Sequence, residues 1–290
     1  MQKPLLAGRL ILYSACILIA LAMLFPYFWM LTTSLKTTRE IFAVDGSMLP
    51  AQLYWENYAK AFRAAPWDRF FQNSVIVASI VTVGQVLFSS MGGYAFGRLS
   101  FPWKNGLFLL LLAGIMVPAE VTLIPVFLIV KNFPLFGGND WLGQGGTGML
   151  NTYSALIVPK IAGVFGLFLL RQFFMTLPKE LEESARIDGC GELRIFRSVM
   201  LPLVKPAAAT LAIFTFTSIW DEFFWPLVVI SERSMMTVQL GLSVFKGVEG
   251  SIEWGPLMAA TVMVSLPVIV VFLFAQKYFV EGVATTGIKG

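Results

Sequence analysis

Apolar residues in this chain gather in six long runs separated by more polar stretches. The runs cover residues 10–31, 73–97, 106–130, 152–174, 206–230 and 255–279. They do not alternate strictly between apolar and polar positions, so they predict helices rather than strands. A helix needs about 20 mostly apolar residues to cross a bilayer, and such a helix satisfies its own backbone hydrogen bonds. The pattern therefore predicts an all-α polytopic membrane protein with six transmembrane helices.

The composition supports a membrane protein and excludes several kinds of chemistry. Hydrophobic residues make up 57% of the 290 positions and charged residues 13%, whereas soluble domains average about 45–50% and about 25%. The chain has no histidine, which excludes histidine general bases and histidine-ligated metals. Its two cysteines, Cys16 and Cys190, lie far apart and indicate neither a disulfide framework nor a metal site. The small net charge of +4 is spread along the chain and does not indicate a nucleic-acid partner.

The distribution of lysine and arginine predicts the orientation of the helices. With the N-terminus inside, more than half of these residues fall on the cytoplasmic side, as the positive-inside rule requires. The first run is longer than the apolar core of a signal peptide and lacks a cleavage site, so we expect it to remain as a helix. An even number of spans then places both termini in the cytoplasm, with the chain in the plasma (inner) membrane.

Two outer loops and the absence of a nucleotide motif complete this outline. Within the loop 32–72, aromatic and small residues recur at helical spacing and predict a short helix that lies on the membrane surface or packs on the spans: Trp55, Tyr58, Ala59 and Phe62. The loop 137–148 holds six glycines and is expected to be flexible. Its G-x-G-x-x-G match neither follows a strand nor opens a βαβ unit, and the chain has no phosphate-binding G-x-x-x-x-G-K-[ST] loop. Any ATP must therefore be held by a partner.

The charge-rich segment 175–203 predicts two short amphipathic helices joined by a turn, presented to the cytoplasm. Pro178 suits a first helical turn, and Leu181 and Ala185 then share a face. Asp188 and Gly189 are expected to form the turn, because glycine accepts the left-handed conformation that ends many helices. The second helix places apolar side chains on one side and is closed by Pro202: Leu193, Phe196 and Val199 or Met200. An ordinary solvated loop is the alternative.

The spacing in this segment resembles the EAA loop of permease subunits of binding-protein-dependent ABC importers. That loop reads E-A-A, three residues, G, nine residues, I-x-L-P. This chain has Glu183-Ser184-Ala185, then Gly189, then Val199-x-Leu201-Pro202. Other segments are similar to the carbohydrate branch, for example a permease subunit of the maltose importers: Asn73-Ser74, Tyr94-Ala95-Phe96-Gly97-Arg98-Leu99, Phe101-Pro102, residues 168–174, Trp220-Asp221-Glu222-Phe223 and Gly287-Ile288-Lys289-Gly290.

The resemblance implies a type I ABC importer permease, formed by one domain over residues 1–290, that moves a carbohydrate or sugar-like solute by alternating access. It implies a second permease subunit, two ATPase subunits that carry ATP and Mg, and an extracytoplasmic solute-binding protein. The chain itself would hold no cofactor and catalyse no reaction. The loop 175–203 would be the cytoplasmic coupling helix that docks on an ATPase, with contacts from this segment and the C-terminus: Glu183, Ser184, Ala185, Asp188, Gly189, Leu201, Pro202 and Lys289.

Ionisable residues inside membrane spans are unfavourable and usually mark a pathway. Four fall in the predicted spans: Glu120, Lys160, Asp221 and Glu222. At about 1.5 Å per residue, Glu120, Lys160 and Asp221 all lie roughly 12–15 Å below the outer end of their helices. Three helices that carry charge at one depth predict a shared polar chamber. Because Pro118 flanks Glu120 on one side and Pro125 on the other, we also expect the third span to be broken there.

Acids beside aromatic rings suit a sugar, because carboxylates accept hydrogen bonds from hydroxyls and ring faces pack on C–H groups. The predicted solute pathway is Glu120, Lys160, Trp220, Asp221, Glu222 and Phe223. Two structural alternatives stay open: Lys160 pairs with Glu120, or Asp221 and Glu222 lie at the membrane interface. If Lys160 instead binds an acidic group, the solute is an anionic sugar derivative or a polyol phosphate, such as glycerol phosphate or a sulfonated sugar.

Two other classes of function compete with a permease. A membrane enzyme could use Asp221 and Glu222 as an acid pair, but adjacent residues on a helix point about 100° apart and do not face each other. A channel or scaffold would need no ATPase-docking loop, so the segment 175–203 argues against it.

Overall fold

The computed structural model describes residues 6–44, 46–245 and 252–287. Within these residues the chain forms fifteen α-helices: α1 (Leu6–Ser34), α2 (Thr38–Ile41), α3 (Glu56–Ala64), α4 (Trp67–Arg98), α5 (Lys104–Ile115), α6 (Ala119–Lys131), α7 (Tyr153–Ile157), α8 (Val164–Thr176), α9 (Glu180–Ile187), α10 (Glu192–Ile195), α11 (Leu201–Leu203), α12 (Lys205–Trp220), α13 (Phe224–Val229), α14 (Val238–Gly241) and α15 (Trp254–Gly287). Shorter turns are 3₁₀-helical at Val158–Lys160, Arg233–Met235 and Leu242–Phe245, and π-helical at Phe196–Met200.

Three of these helices contain a stretch long and apolar enough to cross a membrane: Gly8–Ser34, Trp67–Arg98 and Trp254–Gln276. Three further spans are bent pairs, namely Lys104–Ile115 with Ala119–Lys131 at 101°, Tyr153–Lys160 with Val164–Thr176 at 40°, and Glu192–Leu203 with Lys205–Trp220 at 76°. Counting each bent pair as one span gives six over the described residues, as the apolar runs predict. The expected all-α membrane fold is confirmed.

Prolines explain where the third and fifth spans depart from straight helices. The break between α5 and α6 ends at Pro118, the N-cap of α6, so the break expected beside Glu120 is confirmed. The fifth run, predicted to be helical to residue 230, ends at Trp220 and resumes as α13 at Phe224. In a continuous helix the ring of Pro226 would clash with the carbonyl of residue 222. In α13 that proline lies in the first turn, where a missing N–H is tolerated.

The chain divides into two compact units, Met1–Trp67 with Gly241–Leu266, and Asp68–Leu240 with Pro267–Gly290. The boundary at residue 267 falls inside α15, and the single domain expected over residues 1–290 stays a prediction. In the first unit, the amide of Asn57 donates to the carbonyls of Ser34 and Lys36 at 3.0 and 2.8 Å. This buried asparagine lies on α3, which is the short helix expected in the outer loop.

Two hydrophobic clusters lie among the described residues of the second unit. We call one the cavity-side cluster, which includes Val81, Leu156, Trp225, Val229 and Leu240. The other is the loop-side cluster, which includes Tyr94, Leu170, Phe174, Ala185, Ile195, Met200 and Leu211. Glycines on α4 allow close contact with α8, because a Cβ at Gly93 would lie 2.9 Å from the backbone nitrogen of Arg171. The glycines of α4 therefore serve helix packing.

The glycine-rich loop, expected to be flexible, is folded tightly on itself. Gly137, Gly143 and Gly148 have positive φ angles of 57°, 75° and 58°. At each of them a Cβ would collide with backbone atoms of the loop or of the end of α6. The amide of Asn139 donates to the carbonyls of Lys131 and Phe133 at 2.9 and 3.0 Å. These glycines therefore permit close approach of backbone to backbone.

Candidate functional site

A cavity of about 230 Å³ in the second unit brings together three of the ionisable residues predicted to lie inside the membrane. Glu120 comes from the first turn of α6, Lys160 from the 3₁₀ turn after α7, and Glu222 from the turn between α12 and α13. The wall also contains Thr122, Val126, Phe224 and Trp225. Charge from three separate elements therefore meets at one cavity with aromatic side chains.

Lys160 pairs with Glu222. The alternative that the sequence left open, a pair between Lys160 and Glu120, is not formed. Its ammonium nitrogen donates to Oε2 of Glu222 at 3.1 Å, and the two side chains are 31% and 24% exposed. The other carboxylate oxygen of Glu222 accepts the backbone N–H of Trp225 at 3.2 Å. Glu222 is thus fixed on both of its oxygens. Among the described residues Glu120 forms no ion pair.

A side chain that the sequence did not indicate positions Lys160. The amide of Gln85, on α4, donates to the carbonyl of Lys160 at 2.8 Å and accepts from the hydroxyl of Thr215, on α12, at 3.3 Å. The bend between Tyr153–Lys160 and Val164–Thr176 lies beside this contact, and a Cβ at Gly163 would be 2.9 Å from Oε1 of Gln85. Contacts from α4 and α12 therefore hold the bend that carries the lysine.

The other residues of the predicted pathway lie away from the cavity wall. Trp220 is 1% exposed and stacks on Phe216, with ring centroids 5.7 Å apart. Asp221 is the C-cap of α12, and Phe223 packs against the cavity-side cluster. The predicted depth of Asp221 assumed a helix that continues past Trp220, whereas α12 ends at that residue. The role of Asp221 in a solute pathway stays a prediction. Aromatic character at the cavity comes from Phe224 and Trp225 instead.

The segment 175–203 begins with α9 and the turn that the glycine predicted. Gly189 has a φ of +77°, which confirms the left-handed conformation. Its N–H donates to the carbonyl of Arg186 at 3.0 Å, and the N–H of Cys190 donates to the carbonyl of Ala185 at 2.9 Å. These two bonds form a Schellman motif. The helix after the turn runs through α10, a π-helical turn and α11 to Leu203, so it ends one residue beyond the predicted stop at Pro202.

The exposed side of this segment differs from the one expected. Ala185 is buried together with Glu182, whereas Leu181 is 37% exposed. Leu193, predicted to share the apolar side of the second helix, is 76% exposed, whereas Ile195 is fully buried.

The residues predicted to contact an ATPase fall into three groups. Glu183, Ser184, Asp188, Gly189 and Pro202 are exposed. Ala185 is buried and Leu201 packs against the loop-side cluster, while Lys289 lies outside the described residues. Sequence reasoning missed Ile187, which is 86% exposed between Arg186 and Asp188. The sequence carried a signal for this exposed position, because Ile187 is an apolar residue between two charged ones.

Two side chains of α4 hold this segment in place. Arg98 donates to Oε1 of Glu182 at 2.6 Å and to the carbonyls of Leu177 and Pro178 at 3.0 and 3.1 Å. The hydroxyl of Tyr94 donates to Glu192 at 2.9 Å. The guanidinium of Arg186 also donates to that carboxylate, and this contact raises the pKa of Arg186. The end of the second span is therefore tied to both helices of the segment 175–203.

Comparison with known proteins places this architecture among membrane transport components. Residues 86–285 match the family described as "Binding-protein-dependent transport system inner membrane component". The chain is 34% identical over 275 residues to the arabinooligosaccharides transport system permease protein AraQ of Halalkalibacterium halodurans, covering 94% of this chain and 93% of that protein. It is 32% identical to the sn-glycerol-3-phosphate transport system permease protein UgpE of Yersinia enterocolitica, covering 90% and 91%.

Solved structures share the fold at lower identity. A bacterial ABC transporter involved in the import of the acidic polysaccharide alginate matches with a TM-score of 0.78 and 21% identity, over 96% of this chain and 100% of that one. A bacterial alginate ABC transporter in complex with an alginate pentasaccharide-bound periplasmic protein matches with a TM-score of 0.64 and 15% identity, over 92% and 93%.

Proposed function

The chain belongs to the binding-protein-dependent transport system inner membrane component family, and we propose that it is the permease subunit of an ATP-driven importer for a carbohydrate or sugar-like solute. The observation that carries this proposal is the cytoplasmic segment 175–203. It has the spacing of the EAA loop, ends its first helix in a Schellman turn at Gly189, and is tied to α4 by the buried pair of Arg98 and Glu182.

We assign ATP binding to two partner ATPase subunits. In this proposal α9 docks on one of them through its exposed side, which carries Glu183, Ser184, Ile187 and Asp188. Ala185 and Leu201 pack inward and act by fixing the shape of the segment. Gly189 supplies the turn, and Pro202 and Lys289 are assigned to the same interface by resemblance.

Motion of the ATPases would reach the spans through this segment. A short helix moves as a rigid unit, and the contacts of Arg98 and Tyr94 connect α9 and α10 to the end of α4. We propose alternating access: an extracytoplasmic binding protein delivers the solute, and a second permease subunit completes the pathway. Both termini lie in the cytoplasm in this proposal.

Transport by the reconstituted complex tests the proposal. The chain, its second permease subunit and the two ATPases are placed in proteoliposomes, with ATP inside and the solute-loaded binding protein outside. We expect uptake only when both ATP and the binding protein are present. Uptake down a gradient without ATP would instead indicate a channel.

Cysteine labelling tests the proposed orientation separately. In a Cys16→Ser background, the native Cys190 beside the coupling turn should react with a membrane-impermeant maleimide only after permeabilisation. Leu142→Cys in a Cys16→Ser, Cys190→Ser background should react from outside, because Leu142 is 79% exposed in the glycine-rich loop. Labelling of Cys190 in intact cells would contradict both the orientation and the coupling role.

A further inference from the structure

The charge of the cavity indicates the kind of solute that it accepts. We infer that the cavity lined by Glu120, Lys160, Glu222 and Trp225 binds a neutral, polyhydroxylated solute and rejects solutes that carry a carboxylate or phosphate group. This inference rests on the proposed function, since it concerns the solute of the same permease. The relatives include proteins named for arabinooligosaccharides, which are neutral, and for sn-glycerol-3-phosphate, which is anionic. The inference goes beyond the proposed function because it decides between a neutral and an anionic solute.

Lys160 is the only cation in the described cavity wall, and it is already paired with a carboxylate. Nζ of Lys160 lies 3.1 Å from Oε2 of Glu222, and Oε1 of Glu222 accepts from the N–H of Trp225. An incoming phosphate or carboxylate would have to displace a carboxylate that two donors already hold. The lysine therefore serves as an internal counter-ion and is not free to bind an anionic solute.

The carboxylate of Glu120 adds an unpaired negative charge to the described cavity wall. Glu120 has no ion-pair partner among the described residues, and it lines the same cavity as the pair. One cation and two carboxylates leave a formal charge of −1. Like charges brought together at a binding site oppose association and discriminate against the wrong ligand, so an anionic solute is repelled there.

The carboxylates and aromatic rings of the cavity wall suit the hydroxyl and C–H groups of a sugar. An ionised carboxylate only accepts hydrogen bonds, and a sugar hydroxyl can donate one. The indole N–H of Trp225 is already used by the carbonyl of Ala155 at 2.9 Å, so its contribution at the cavity is the ring, which can pack on C–H groups as Phe224 can. The volume of about 230 Å³ is smaller than the roughly 300–1,000 Å³ of common ligand pockets. It suits one end of a saccharide.

Binding to the purified complex tests the inference without the binding protein. The complex in lipid nanodiscs is titrated with maltotriose as the neutral probe and trigalacturonate as the anionic probe of equal length, and bound probe is measured by equilibrium dialysis. We expect the wild type to bind maltotriose more tightly than trigalacturonate. Glu222→Gln frees Lys160 and removes one negative charge, so it should shift the ratio of the two affinities toward trigalacturonate by about tenfold or more.

A matched control separates a local effect from general surface charge. Glu232→Gln makes the same chemical change at an exposed carboxylate outside the cavity wall and should leave the affinity ratio unchanged. A charge swap, Lys160→Glu with Glu222→Lys, keeps both the pair and the net charge and should keep the wild-type preference. The swap serves as the test if Glu222→Gln does not fold.

Several results would overturn the inference. They are a wild type that prefers trigalacturonate, a wild type that binds neither probe, an unchanged ratio in Glu222→Gln, a reversed preference in the charge swap, and an equal shift in Glu232→Gln. ATP-dependent uptake of an acidic saccharide by the wild-type complex would also overturn it and leave the proposed function intact. Absence of ATP-dependent uptake for any saccharide would instead contradict the proposed function.

Discussion

Two ion pairs in the second unit show how differently the same chemistry is used at the segment 175–203 and at the cavity. Arg98 and Glu182 lie 2.6 Å apart, and their side chains are only 5% and 6% exposed. Lys160 and Glu222 lie 3.1 Å apart and are 31% and 24% exposed. The first pair is buried between α4 and α9, and the second lies in the wall of a cavity.

This difference predicts different consequences for stability and for function. A buried charge whose partner is removed is strongly destabilising, so the pair of Arg98 and Glu182 acts as a permanent link between α4 and α9. A partly exposed pair contributes little to stability, and both side chains keep part of their surface at the cavity wall. We therefore expect the pair of Arg98 and Glu182 to hold the proposed coupling segment and the cavity pair to select the solute.

Removing the buried arginine should have the largest effect. Arg98→Met leaves the carboxylate of Glu182 buried without a partner and removes the donor to two carbonyls, which should lower stability by about 3–5 kcal/mol. Thermal unfolding of the solubilised complex measures this loss, and co-purification of the ATPases should fall with it. Arg63→Met, at an exposed position on α3, is the control. An unchanged melting temperature in Arg98→Met would show that the pair is not the link proposed.

A smaller effect is expected from the turn after α9. Gly189→Val forces a β-branched residue into a left-handed conformation with φ +77°, a strain of roughly 1–2 kcal/mol. No atom would lie within 4 Å of the new Cβ, so only the backbone is strained. ATPase pull-down should weaken while membrane insertion is retained.

A neighbouring glycine provides the matched control for that substitution. Gly191 has an ordinary φ of −74° and also has open space at its Cβ position. Gly191→Val should therefore pull down the ATPase like the wild type. Equal behaviour of the two valine variants would show that the left-handed turn is not needed for docking.

The smallest loss of stability should come from the cavity pair. Lys160→Met removes a partly exposed partner, and solvent screening limits the cost to about 0–1 kcal/mol. Its melting temperature should therefore lie close to that of Lys131→Met, an exposed control at the end of α6, and well above that of Arg98→Met. A loss as large as that of Arg98→Met would mean that the cavity pair is structural.

The sequence predicted those features that depend on a single residue type. A proline marked the break before Glu120, and a glycine marked the left-handed turn at position 189. The end of α12 was missed because apolar residues continue to Ile230, although Pro226 carried the necessary signal.

Features that depend on long-range packing could not be predicted. The partner of Lys160 lies 62 positions along the chain and is set by the 40° bend in the fourth span. Gln85 and Arg98 act on residues 75 and 84 positions away. Their roles follow from helix packing, which leaves no local pattern in the sequence.

Parallel measurement of ATP hydrolysis and solute uptake in proteoliposomes tests most directly whether the two regions perform separate tasks. The two variants to compare are Glu222→Gln and Gly189→Val, each beside the wild type. We predict that Glu222→Gln retains ATPase association and changes the preference between maltotriose and trigalacturonate. Gly189→Val should weaken ATPase association and lower uptake, and the uptake that remains should keep the wild-type solute preference. If both variants change the same quantity, the proposed division between a coupling end and a solute-selecting cavity is wrong.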